Sequence, residues 1–221
     1  MRNIGKKIVF GLLSALMIFG ILTPSVSAIS YAYDINLDYL NALVEEQLLN
    51  FVEENDLSVE LENIIIELNS DYISDGKGFM NTLELELNTI KESLLYAEME
   101  LIEQPLSPIE RLIHNGGTSY RARVWGGVPA IGWGWINQDF TASVSNGRIS
   151  NVRLQGNSYI TGFLIGRWSH IRSWHELHTN NTRLDMRMRG TLSYGVGQFS
   201  ITMSATFLQQ LRGNGNRLVQ R

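Results

Sequence analysis

Leu37, Leu40, Val44, Leu48 and Phe51 recur at the three- and four-residue steps of a helix, and Glu45, Glu46, Glu53 and Glu54 fall off that stripe. A second, short helix fits Val59 to Leu68, with Ser58 as N-cap and Leu61, Ile64, Ile65 and Leu68 on one side. Asp71 to Phe79 contains Asp75-Gly76-Lys77-Gly78 and reads as a turn. A third helix is expected from about Thr82 to Glu103. There Leu83, Leu87, Ile90, Leu94, Ala97 and Leu101 alternate steps of four and three, the seam of a helical hairpin or small bundle. Pro105 and Pro108 end it, because proline lacks the amide hydrogen and clashes with the preceding turn.

Beyond that point the period changes to two. Leu184, Met186, Met188, Leu192 and Tyr194 alternate with Arg183, Asp185, Arg187, Arg189, Thr191 and Ser193. Gly190 stands on the apolar side of that strand. Phe199, Ile201, Met203, Ala205 and Phe207 repeat the pattern, and Gly195-Val196-Gly197 suits the turn between the two. Asn146-Gly147 is a type I′ hairpin signal. A two-residue loop there pairs Val144 with Ile149, after which the faces fall out of phase unless a bulge intervenes near Ser150–Asn151. Six strands are expected: Tyr120–Trp125, Trp133–Ser145, Arg148–Leu154, Tyr159–Trp168, Arg183–Tyr194 and Gln198–Leu208.

The fold class expected is therefore α+β. An N-terminal acidic helical hairpin or small bundle precedes an antiparallel all-β barrel or sandwich of about six strands. Five segments follow: 1–28, a helical region over 29–104, a linker over 105–118, an autonomous β domain over 119–211, and a loose tail over 212–221. Residues 1–28 read as a secretory signal peptide. Arg2, Lys6 and Lys7 precede an uncharged run from Ile8 to Leu22, and Val26-Ser27-Ala28 supplies a small-residue cleavage site. The run is shorter than the about 20 apolar residues of a spanning helix. Cleavage after Ala28 would start the exported chain at Ile29, and a secreted or envelope-associated location is expected.

Charge sharpens this division. Ile29 to Glu110 holds 19 Asp and Glu against Lys77 and Lys91, net −17. Arg111 to Arg221 holds 13 Arg, no Lys and three acids (Asp139, Glu176, Asp185), net +10. Such halves suit mutual docking, helix against sheet, or capture of a polyanion by the basic half.

Candidate chemistry is sparse. There are no cysteines, which removes disulfides, thiol nucleophiles and thiolate metal sites. No G-x-S-x-G elbow or Ser–His–Asp framework is visible. Trp168 to His178 concentrates three of the four histidines, and His175, Glu176 and His178 are weak metal candidates. Their spacing is not the H-E-x-x-H of zinc hydrolases, and a strand would put His175 and His178 on opposite faces. His175 and Glu176 also define an alternative hydrolase reading, and a glycosidase pair could be drawn only from Asp139, Glu176 and Asp185. Asp71 to Gly76 resembles a calcium loop but has Ile73 at a ligand position and Thr82 where the bidentate Glu belongs. No cofactor is expected.

Exclusive use of arginine is the stronger signal. Arg183, Arg187 and Arg189 share one strand face, and Arg121 and Arg123 share another. Guanidinium forks suit phosphate and carboxylate, and Trp168 and Trp174 add amphipathic surface beside them. These seven residues are the expected ligand site of a non-enzymatic binding protein. Its partner would be an anionic lipid or cell-wall polymer, with nucleic acid ranked below because an exported chain meets less of it. The acidic region would serve as a pro-region or mask. A purely structural envelope protein, whose halves simply dock, is the remaining alternative.

Overall fold

The computed structural model describes residues 36–68, 76–95, 97, 99–105, 117–128, 132–162, 166–195 and 199–221. The expected signal peptide and most of the expected linker lie outside them. Residues from Ile35 onward form one compact unit.

Two helices and nine strands are found among its described residues. Helix α1 (Leu37–Glu54) starts at Asn36, whose side chain accepts from the Tyr39 amide at 3.0 Å, and buries Leu40, Val44 and Leu48. Helix α2 (Gly76–Leu95) buries Phe79, Leu83, Leu87, Ile90 and Leu94. Gly76, Lys77 and Gly78 therefore open a helix, where a turn was expected, and the helix stops well short of Glu103.

Strand β1 (Val59–Leu68) corrects the expected second helix. Val59 and Leu61 face inward, and so do Ile64 and Ile66. The phase change falls at Asn63, whose φ is +51°, where β1 slips one residue against its partner. A bulge inserted into a two-residue repeat thus imitates helical spacing. Strand β2 (Met99–Gln104) likewise replaces the end of the expected third helix. The remaining strands are β3 (Thr118–Val128), β4 (Gly132–Ser145), β5 (Arg148–Gly162), β6 (Arg167–His178), β7 (Arg183–Tyr194), β8 (Phe199–Asn214) and β9 (Arg217–Gln220).

Among the described residues these strands form two antiparallel sheets and no closed barrel. Sheet 1 runs β1-β8-β7-β6, with β9 also on β8; sheet 2 runs β2-β3-β4-β5. The helical hairpin expected to stand apart in the acidic region is replaced by an α/β mixture, since β1 and β2 belong to the two sheets. At Asn146-Gly147, φ values of +49° and +76° give the tight turn, and Val144 faces Ile149. The register then shifts by one at Asn151 (φ +52°), so Phe140 faces Leu154. The segment over 212–221, expected to be loose, completes β8 and forms β9. Leu218 is buried there, and its amide donates to the Tyr120 hydroxyl at 3.4 Å.

The inner face of β7 and β8 spans two apolar clusters. At one end, Leu184, Met186, Leu211 and Leu218 of sheet 1 meet Tyr120, Ala122, Phe140, Ala142 and Ile149 of sheet 2, a sandwich. At the other, Met188, Leu192, Ile201, Met203 and Phe207 join the inner residues of β1 and the buried stripes of α1 and α2. Asn41 on α1 also accepts from the Ile66 amide at 2.8 Å, fastening the helix to β1.

Candidate functional site

Strand alternation settles where the expected ligand residues stand. On sheet 1, Trp174, Arg187, Arg183, Arg189, Glu176 and His178 lie on the outer face, because their neighbours in β7 point into the core. Trp168 lies on the inner face opposite Leu192. It packs on Phe207 at 5.9 Å between ring centroids and over Gly190, leaving no room for a Cβ there. Its indole is thus committed to the core. On sheet 2, Arg121 and Arg123 lie on the other outer face, so the two groups of arginines sit on opposite sides of the sandwich and do not converge.

Each of the five arginines has an acidic partner. Arg121 bonds both carboxylate oxygens of Asp139, at 2.7 and 3.2 Å, and Tyr159 donates its hydroxyl to the same carboxylate at 3.0 Å. The hydrogen bond from Arg121 to Asp139 holds the guanidinium above its ordinary range. Burial first, and then Asp139, raises the Tyr159 phenol. Arg123 bonds Glu100 and lies over the Trp135 ring, 3.7 Å from its centroid. Arg189 pairs with Glu62 on β1. These pairs are partly exposed and each is worth at most about 1 kcal/mol.

A tighter charge group surrounds Asp185, which is only 3% exposed although it points outward. Arg183 Nε lies 3.2 Å and His178 Nε2 3.3 Å from its carboxylate, with Arg187 at 4.0 Å. Glu176 adds contacts to Arg187 at 3.1 Å and His178 at 3.5 Å. These atoms are within ion-pair reach, yet several are not aligned for hydrogen bonds. The group reads as long side chains covering one another's charge. Beyond it, Arg172 lies over the Trp174 ring at 4.2 Å.

The weak metal candidates separate. His175 faces inward opposite Met186, whereas Glu176 and His178 face outward, so the three cannot ligate one ion. No cluster of metal-ligating side chains occurs among the described residues. The same separation splits His175 from Glu176 as an acid–base pair. Burial lowers the His175 imidazole below its ordinary value.

One Ser–His contact escaped the sequence reading. Ser158 Oγ stands 2.7 Å from His170 Nδ1, which also accepts from the Ser158 amide at 3.1 Å, and Trp168 Nε1 donates to Ser158 Oγ at 3.0 Å. The hydroxyl is therefore the donor to His170. Ser158 is 4% exposed, and it ties β5 to β6 where the two sheets meet. Shielded and already accepting a hydrogen bond, it is placed as a fastening more than as a nucleophile. Its partners were hidden because Gly156-Asn157-Ser158 looks like a turn.

Sequence reasoning also passed over the arginines that have no partner. Arg148, Arg153, Arg167, Arg212 and Arg217 are exposed and form no side-chain pair among the described residues. No protein-family model, curated protein or solved structure matches the chain. Among the described residues, no helix is long and apolar enough to cross a membrane.

Proposed function

We propose that the chain is an exported, non-enzymatic binding protein whose arginine-rich sheets engage an anionic envelope component, a lipid surface or a wall polymer. The observation that carries this reading is the surplus of exposed arginines left over after every described acid of the basic half has found its partner. Arginine in this state is a ready donor to phosphate and carboxylate. The acidic region is a mask in this proposal. Support comes from Glu62 and Glu100, which reach from β1 and β2 to neutralise Arg189 and Arg123. The masking contacts thus come from strands, not helices.

Co-sedimentation with phosphatidylcholine vesicles, with and without phosphatidylglycerol, and with anionic wall polymer tests both parts. Binding should require the anionic component and fall with added salt. Glu62→Gln with Glu100→Gln should tighten it by about fivefold per freed arginine, at about 1 kcal/mol per basic residue near an anionic surface. Absence of salt-sensitive binding defeats the binding reading; binding without tightening defeats the mask.

A further inference from the structure

Three hairpin tips meet at the sandwich end of the molecule. They are the β4–β5 turn, the β6–β7 turn and the β8–β9 turn. Gly147 N donates to Gly215 O at 2.7 Å, Ile149 N to Asn181 O at 2.7 Å, and Gly213 N to Thr182 O at 2.9 Å. The backbones of Gly147 and Gly213 approach so closely that a Cβ on Gly213 would overlap the Gly147 carbonyl. Asn146, Gly147, Thr179, Asn180, Asn181 and Gly215 all hold positive φ, the conformation such tight crossing turns demand. The tips therefore form one hydrogen-bonded platform.

What the platform displays is cationic and amide-rich. Residues 145–151, 178–184 and 211–221 contain no acid. Arg148, Arg212 and Arg217 are exposed there with no side-chain pair among the described residues, alongside exposed Asn146, Asn180, Asn181, Asn214 and Asn216. Arg212 also stands directly opposite Arg183 across the β7–β8 ladder. Like charges so placed repel. Arg183 has Asp185 to offset it, but Arg212 has no such acid among the described residues.

Resting on the proposed binding function, we infer that this platform is the contact surface, and that its ligand is a phosphate-rich polymer, not a bilayer. Guanidinium forks and amide donors match phosphate oxygens, and an extended polyanion can follow arginines spread over three tips. A bilayer-seeking surface carries apolar or aromatic side chains to insert beside its cations. The exposed large apolar residues (Leu37, Tyr39, Leu49, Ile65, Met80, Leu85, Leu95 and Ile171) all lie outside the three tips.

The test is the binding of labelled inorganic polyphosphate to the full chain, followed by anisotropy across a salt titration. Arg148→Gln, Arg212→Gln and Arg217→Gln together should weaken binding at least about tenfold. They should also flatten the log–log salt dependence by about two, at roughly 0.7 per lost phosphate contact on a single-stranded polyanion. Arg121→Gln with Arg123→Gln, whose guanidiniums Asp139 and Glu100 already hold, should weaken binding much less than the tip variant does. Arg212→Gln alone should weaken binding while leaving the melting temperature level or raised, since it relieves the repulsion with Arg183; this guards against a folding artefact. If the sheet 2 variant weakens binding as much as the tip variant, the platform is wrong but the binding function stands. If the parent binds phosphatidylglycerol vesicles and not polyphosphate, the polymer assignment is overturned. If it binds neither, nor polyglutamate, the proposed function fails and this inference with it.

Discussion

The two ends of β7 and β8 are built from the same two strands yet closed in different ways. At the sandwich end, the cover is sheet 2, and most of that cover is a meander in which β3, β4 and β5 are successive in the chain. At the other end, α1 and α2, drawn from the acidic region well before β7 in sequence, form most of the cover, with Val124 and Ile136 of sheet 2 beside them, and β1 widens sheet 1 by pairing with β8. One pair of strands can bury its apolar face against either kind of layer, because burial is non-directional and asks only for apolar area of fitting shape. The charge division seen along the chain therefore does not coincide with a division of the core.

The harshest way to break the comparison is to remove one cover. Ser119–Arg221 keeps β3 to β9 but uncovers Ile201, Met203, Ala205 and Phe207, which α1, α2 and β1 help to bury. The expected outcome is a chain without a cooperative thermal transition. A sheet-like circular dichroism spectrum with a sharp transition would instead support the autonomous β domain expected from the sequence. Next in size are cavity mutations at the two ends. Ile90→Ala on α2 and Ile149→Ala on β5 each truncate a fully buried side chain and should each cost about 2–5 kcal/mol in denaturant unfolding. Both should shift the same single transition, as expected of one compact unit. Two separable transitions would mean that the covers are independent.

Smaller effects come from the close approaches. An alanine at Gly190 would collide with the Trp168 ring, and with the Ser169 carbonyl 2.6 Å from its Cβ. Overpacking of this kind costs about 1–3 kcal/mol. Gly213→Ala should fall in the same range by prising two hairpin tips apart, and equilibrium unfolding measures both. The smallest expected effect is the pH response of His175. Burial lowers its pKa in the folded state, so below the ordinary value of about 6.5 the unfolded chain binds the proton first. Stability should then decline as pH falls from there toward the folded pKa. His175→Gln should flatten that decline, and an unchanged slope would assign it to other groups.

Some of this architecture was legible in the sequence. The stripes of α1 and of α2, and the two-residue alternation of β7 and β8, each place enough apolar side chains on one face to declare their period. Asn146-Gly147 declared its turn, and the bulge near Asn151 followed from the phase mismatch beside it. The failures share a cause. At Asn63 in β1 and at Ile171 in β6, one extra residue shifts the inward face, so the apolar spacing no longer reads as a strand. Strand β2 had been absorbed into a helical seam. Its state depends on pairing with β3, which no local signal records.

The same boundary runs through the candidate site. Alternation alone determined that Arg183, Arg187 and Arg189 share one face and that Arg121 and Arg123 share another, because the strand period assigns faces without reference to the rest of the fold. The sequence by itself also determined the segregation of acid from base. Only the tertiary structure decided that Glu62 would reach Arg189, that Trp168 would turn inward, and that Arg148, Arg212 and Arg217 would gather at one end with no side-chain pair among the described residues. Which charges meet depends on strand order and register between segments far apart in the chain. Those are set by the burial of the apolar faces, to which the charged side chains on the outside contribute little.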